Sequence, residues 1–285
     1  MTEADLHRRR AVFALALAPA LAWAQDDAKE FKPRVGQAGK DVIWVPTPDR
    51  AVERMLQMAQ VRPEDFVVDL GSGDGRTVIA AAKKFGAKSL GIEFNPDMVA
   101  LSRRNAEKEG VADTAKFIEG DIFASDFSDA TVVTMYLLDD LNLRLRPKLL
   151  GMKPGTRIAS HEFDMEDWRP DDRSSIDDYT TYFWVVPAKV GGDWKLGVDV
   201  GAAEDMVLKL SQKFQKVEGA LVAKSSQLGL RDVSLRGDLI KFSLVDYRGA
   251  LREFSGRAQG IVISGTVATG GKPTGRFRAT RVSRG

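Results

Sequence analysis

Between residues 41 and 161 the apolar positions alternate between two patterns. Short runs at 66–70, 89–93, 115–119, 130–136 and 156–161 have the length of buried strands. Between them, 77–85, 96–109 and 141–150 repeat their apolar residues at helical spacing, as do Val52, Met55, Leu56 and Ala59 before the first strand. Thr47 is placed to cap that leading helix, with Pro48 at its first position. Asn95-Pro96 opens the second helix after the glycine-rich turn, and Gly151 with Pro154 closes the third. Strand–helix alternation of this kind predicts a mostly parallel, Rossmann-like α/β sheet, whose ligands bind beyond the carboxyl ends of the strands.

The pattern changes near Pro187. Short segments at 207–214, 220–224, 239–245 and 261–267 alternate with glycine-bearing turns, and about eight such strands fit the remaining length. An antiparallel meander forming a small β-barrel-like domain or a sandwich is expected, with a loose resemblance to lipocalin-like barrels. A barrel mouth that takes an apolar ligand and a packed accessory domain both fit; no convergent polar set is visible, which favours the packed domain. The expected domains are therefore 41–186 and 187–285. Arg276, Arg278, Arg281 and Arg284 make the last strand and terminus basic, a solvated edge or a contact for an acidic partner.

The first residues read as a processing signal. Arg8-Arg9-Arg10 precedes an apolar stretch from Ala11 to Trp23 that is too short to span a bilayer, and Ala22-Trp23-Ala24 has the small-x-small form of a cleavage site. The reading is a signal peptide over 1–24, of twin-arginine type, then a polar linker over 25–40. Export to the periplasm follows, with no membrane span after processing; a leader that is not used leaves the protein cytoplasmic.

Composition narrows the chemistry. The 285 residues carry 42 basic and 40 acidic side chains, so the net charge of +2 gives no broad nucleic-acid footprint, and no nucleic-acid partner is expected. The chain has no cysteine and only two histidines, His7 and His161, which excludes thiolate catalysis and disfavours a histidine-built metal site.

Chemistry concentrates at Asp69-Leu70-Gly71-Ser72-Gly73-Asp74-Gly75-Arg76. A strand, a glycine turn and a helix in that order form a nucleotide cradle, because glycine permits the sharp turn and the close approach of a ligand. The spacing is Gly-x-Gly-x-Gly after an acidic residue. Asp69 therefore sits where it meets a cationic amino group, which suits S-adenosyl-L-methionine better than a pyrophosphate; the alternative is a ligand-free glycine turn. Glu93, at the end of the second strand, can accept both ribose hydroxyls, or is simply a solvated strand end. Asp121 can accept an adenine amino group with Ile122 or Phe123 against the ring, or serve as a turn residue.

These motifs, with Gly91-Ile92-Glu93-Phe94-Asn95-Pro96 and Gly120-Asp121, resemble those of class I S-adenosylmethionine-dependent methyltransferases. Val45-Pro46-Thr47-Pro48, Ser102-Arg103, Tyr136-Leu137-Leu138 and the segment 141–150 are similar to a bacterial branch related to the mitochondrial lysine methyltransferases of the ATP synthase c-ring and the adenine nucleotide translocator. The resemblance covers about residues 41–172. It implies Asp69, Gly71, Ser72 and Gly73 around the methionine moiety, Glu93 on ribose, Asp121 and Ile122 at adenine, and Thr47 helping to close the site. It also implies an amine acceptor, most simply a protein lysine, with a small-molecule acceptor or a noncatalytic ligand-binding protein as alternatives. Tyr136 and Asp139 are the catalytic candidates that would orient the amine; their structural alternatives are a core tyrosine and a helix-capping aspartate. Asp139 stands where the bacterial branch is expected to carry proline. The Asn/Asp-Pro-Pro-aromatic motif of amide- and base-nitrogen methyltransferases is absent.

Overall fold

The computed structural model describes residues 31–199, 206–224 and 226–282. The expected signal peptide and the linker up to residue 30 lie outside the described residues.

The first sheet has the order β3-β2-β1-β4-β5-β7-β6. Its strands are β1 (Phe66–Leu70), β2 (Lys88–Glu93), β3 (Ala115–Glu119), β4 (Val132–Met135), β5 (Arg157–His161), β6 (Asp172–Ile176) and β7 (Tyr179–Val185). Strands β1 to β5 are parallel, and β7 runs antiparallel to β5. Helices α1 (Asp49–Met58), α2 (Arg76–Phe85), α3 (Pro96–Lys108) and α4 (Asp139–Leu149) complete the unit. Val67, Val68 and Leu70 on β1 and Val132, Val133 and Met135 on β4 are fully buried, the continuous apolar run expected of a covered parallel sheet. Strand order reverses between β1 and β4, so their carboxyl ends splay apart and leave a crevice there.

Three local readings are corrected. Thr47 does not cap α1: Pro48 is the capping residue and the helix begins at Asp49, while the Thr47 carbonyl accepts from Arg76 Nη1 at 2.8 Å. Helix α4 begins at Asp139 rather than 141, because two carboxylates in its first turn complement the unsatisfied amides there. The β6–β7 hairpin has no counterpart in the expected elements. Asp177 and Asp178 both take positive φ, 49° and 68°, and supply the two-residue turn that twists with its strands.

The second sheet is a nine-stranded antiparallel meander. It comprises β8 (Gly192–Val198), β9 (Met206–Lys213), β10 (Lys216–Ala223), β11 (Ser226–Gly229), β12 (Arg231–Arg236), β13 (Leu239–Val245), β14 (Leu251–Gln259), β15 (Val262–Thr269) and β16 (Lys272–Arg281). The last strand returns to pair with the first, β16 on β8, and the ladder is broken only between β11 and β12, giving a nearly closed barrel. Trp194, Phe242, Phe254 and Phe277 fill its interior; Phe242 stacks on Phe254 with centroids 4.7 Å apart and Phe277 meets Phe254 edge-on at 5.3 Å. The two halves meet where the Gln215 side-chain amide donates to the Arg169 carbonyl at 2.7 Å.

Candidate active site

The turn after β1 follows from its glycines. Gly71, Gly73 and Gly75 all have positive φ, 75°, 54° and 85°. A methyl group added at Gly73 would stand 2.7 Å from Trp44 Nε1, so even alanine is excluded without a shift. The amides of Gly71 and Ser72 both donate to the Ile92 carbonyl, at 2.9 and 3.1 Å, which ties the turn to the end of β2. Ser102 Oγ donates to the Gly73 carbonyl at 2.8 Å and holds the turn from the α3 side.

Glu93 ends β2 beside this turn. One carboxylate oxygen accepts from the Gly73 amide and the other from the Asn95 amide, each at 2.9 Å. Its position is thereby fixed from both sides before any ligand arrives.

Asp69 lies at the base of the crevice with only 6% of its surface exposed. Burial pushes its carboxyl up to about 7, against the stabilising hydrogen bonds of Thr134 and Thr77, with Glu93 and Asp74 adding repulsion. The Thr134 hydroxyl donates to it at 2.6 Å. A carboxyl held this way gains by meeting a cation, which is the behaviour wanted of a group that receives an ammonium.

Asp121 has its carboxylate held by Lys40 Nζ at 2.6 Å and by the Phe123 amide at 2.8 Å. The Lys40 bond, then that amide, keep its carboxyl below the ordinary range. Lys40 belongs to a strap over the crevice. Within it the Trp44 amide donates to the Gln37 carbonyl at 2.8 Å and the Gly36 amide to the Trp44 carbonyl at 2.9 Å. The strap brings Trp44 onto Gly73 and Lys40 onto Asp121.

One cleft, partly open to solvent, is lined by Thr47, Asp69, Gly71, Ser72, Gly73, Glu93, Asp121, Ile122 and Tyr136, together with the strap. All eight expected cofactor residues and one of the two expected catalytic residues are therefore on a single wall system. Asp139 is not among the lining residues; as the first residue of α4 it is exposed to solvent. Ser72 Oγ is buried without a hydrogen-bond partner among the described residues, packed against Gly91 of β2.

Beyond Tyr136 lies an aromatic group. His161 at the end of β5 meets Tyr136 edge-on at 4.4 Å between centroids, with Tyr179 at 5.3 Å, and Phe163 stacks on Tyr136 at 6.1 Å. His161 is fully buried with both ring nitrogens unpartnered among the described residues, and burial lowers its pKa, so the ring is neutral near pH 7. Burial first, then the charge of Glu162, raises the Tyr136 phenol above its ordinary value.

Sequence reasoning missed the strap's ion pair, the Arg76 clamp on Asp74 at 2.6 Å, and the role of Asn95 as donor to Glu93. Trp44, within the apolar run Val42-Ile43-Trp44-Val45 that follows the polar residues before it, was the available signal for the strap.

Comparison with known proteins matches the α/β half of the chain. A family model described as the ANTKMT methyltransferase domain matches residues 69–172. A protein-lysine N-methyltransferase of Saccharolobus islandicus is 44% identical over 151 residues, covering 51% of this chain and 94% of that protein. A lysine N-methyltransferase of Homo sapiens named for the ATP synthase is 37% identical over 129 residues, covering 45% of this chain and 54% of that enzyme, so the chain spans about half of its length. Among solved structures, an RNA methyltransferase of Salinibacter ruber in complex with S-adenosyl-L-homocysteine is 49% identical, with a TM-score of 0.51, over 51% of this chain and 96% of that one.

Proposed function

The chain belongs to the methyltransferase family of its Saccharolobus relative, and from that premise we propose that it transfers a methyl group from S-adenosyl-L-methionine to an amine, the ε-amino group of a protein lysine. The observation that carries the reading is the single cleft joining Asp69, the glycine turn, Glu93 and Asp121, with Tyr136 on its wall.

In this reading Asp69 receives the donor's ammonium, Glu93 the ribose hydroxyls, Asp121 the adenine amino group, and Ile122 lies against the ring. Bound S-adenosylmethionine supplies an electrophilic methyl on a sulfonium sulfur. The protein's own contribution is alignment and exclusion of water. An incoming lysine must shed a proton from a reference pKa of about 10.4, and the apolar wall of Met135, Leu137 and Leu141 assists by disfavouring the ammonium. Tyr136, at that wall, orients the amine. Lysine is favoured over other acceptors because the Saccharolobus relative, covered across 94% of its length, and the Homo sapiens enzyme are both named lysine N-methyltransferases.

The name of the Salinibacter structure supports RNA as a second acceptor class. One experiment separates them: the full chain is incubated with donor labelled in its methyl group and a mixed extract of protein and RNA. Label recovered as methyllysine after hydrolysis supports the proposal. Label confined to RNA reassigns the acceptor, and no label despite donor binding leaves a noncatalytic binding protein. Export is part of the same proposal, resting on the leader at 1–24; N-terminal sequencing of protein from the native host should then begin at Gln25.

A further inference from the structure

The net charge of +2 conceals two opposite halves. Residues 1–186 carry 25 basic and 31 acidic side chains, whereas 187–285 carry 17 basic and 9 acidic ones, so the barrel lies in a strongly basic stretch. The strand registers show where part of that charge goes. Side chains alternate across a sheet, and the apolar set is committed to the interior, so the cations are forced outward. One outward row runs Arg257, Ser264, Arg278 and Gly197; the next runs Lys241, Ser255, Thr266 and Arg276.

With strands about 4.8 Å apart and a two-residue step of about 7 Å, the four cations share a patch of roughly 15 by 7 Å. Asp238 forms an ion pair with Arg257, Glu253 stands exposed one outward step from Ser255 on β14 and accepts from the Gly271 amide, and the Asp199 amide donates to the Arg276 carbonyl, which brings a third carboxylate to the edge. Lys241, Arg276 and Arg278 have no ion pair among the described residues. Small hydroxyl and glycine residues separate them, leaving the charges accessible.

Two exposed aliphatic side chains lie beyond the patch, at the barrel end where β14 turns into β15 and β16 finishes. Ile261 is 63% exposed and Val282 61% exposed, and the Arg281 amide bonds the Ile261 carbonyl at 2.9 Å, which holds the two chain segments side by side. A nucleic-acid strand is gripped by cations together with aromatic faces, and no aromatic ring stands on these outward rows. Cations edged by aliphatic groups suit a lipid interface, where headgroups meet charge and short apolar side chains enter the boundary. The apolar interior and charged exterior are the reverse of a membrane-spanning barrel.

We propose that the outer face of β13–β16 docks on a membrane surface rich in anionic phospholipid, with Lys241, Arg276 and Arg278 toward the headgroups and Ile261 and Val282 entering the interface. The test is co-sedimentation of the full chain with vesicles of phosphatidylcholine alone or with about 30 mol% phosphatidylglycerol, at about 0.1 M salt, where charges act over about 10 Å. Binding should require the anionic lipid and fall as salt rises. R276E/R278E should weaken it at least about tenfold, since each cation near such a surface contributes about fivefold. I261S/V282S should weaken it about fivefold while keeping the salt dependence. Both variants change exposed positions and keep the same N-terminal residues, so the leader contributes equally to all three proteins. Equal binding to neutral and anionic vesicles, or unchanged binding by R276E/R278E, would overturn the proposal. So would a single-stranded RNA that binds the full chain through the same arginines and displaces it from the vesicles.

Discussion

Replacing Asp69 with asparagine separates what this residue costs the fold from what it gives the ligand. In the folded protein burial holds the carboxyl at about 7, against 3.8 for the free group. Between those values the native state binds one more proton than the unfolded chain, so stability is greatest at low pH and declines as pH rises toward 7. The slope is about 1.36 kcal/mol per pH unit, so from pH 5 to pH 8 the wild type should lose about 3 kcal/mol through this group alone, most of it below pH 7. Asp69→Asn keeps the volume and an acceptor for Thr134 but cannot titrate. Urea unfolding of both proteins at pH 5 and pH 8, followed by tryptophan fluorescence, reads the difference, since every other titrating group is common to both. The variant should be the more stable protein at pH 8, yet bind S-adenosylmethionine less tightly by about 1–3 kcal/mol through the lost charge-assisted contact. Parallel pH dependence in the two proteins would refute the assignment of a strained carboxyl at the base of the cleft.

Donor affinity of the wild type should itself rise about tenfold per unit as pH approaches 7 and level off above it, because only the ionised Asp69 attracts the donor's ammonium; calorimetry at fixed ionic strength measures this, and a flat profile would remove Asp69 from the contact. Gly73→Ala forces a positive φ on a side chain that meets Trp44, so it should cost about 1–3 kcal/mol of stability or donor affinity; wild-type unfolding and binding curves would sink that reading. Lys40→Ala breaks an ion pair whose side chains are each about a third exposed, so stability should move by no more than about 0.5 kcal/mol while donor affinity rises up to about fivefold as Asp121 is freed; a fall in affinity would make Lys40 a ligand contact instead. Tyr136→Phe should lower turnover at least about tenfold with donor affinity unchanged, and the reverse pattern would place the phenol in donor binding.

Much of the α/β half was legible because its constraints are local. A buried strand followed by three alternate glycines has few backbone solutions, and Asn95-Pro96 can hardly do other than open a helix. Hence Asp69, the glycine turn and Glu93 emerge where the periodicity placed them. What escaped the sequence depends on contacts between distant segments. Lys40 reaches Asp121 across 81 positions, and no pattern in either segment announces the pair. The β6–β7 hairpin was hidden by its turn, since Asp177-Asp178 does not carry the glycine that usually marks such geometry. Asp139 was drawn toward the site by its nearness to Tyr136 in sequence. Helix α4 begins at that residue, and its first turn leaves the carboxylate outside the cleft. In the barrel the alternation was visible, but the pairing of β16 with β8 joins residues some eighty positions apart and follows only from closure.

The most direct measurement of the central claim is calorimetric titration of the full chain with S-adenosylmethionine and S-adenosylhomocysteine, beside the Glu93→Ala variant. The expected result is micromolar binding of both ligands, weakened in the variant by about 1–3 kcal/mol. A correctly folded wild-type protein that binds neither would contradict the assignment of this cleft to the methyl donor.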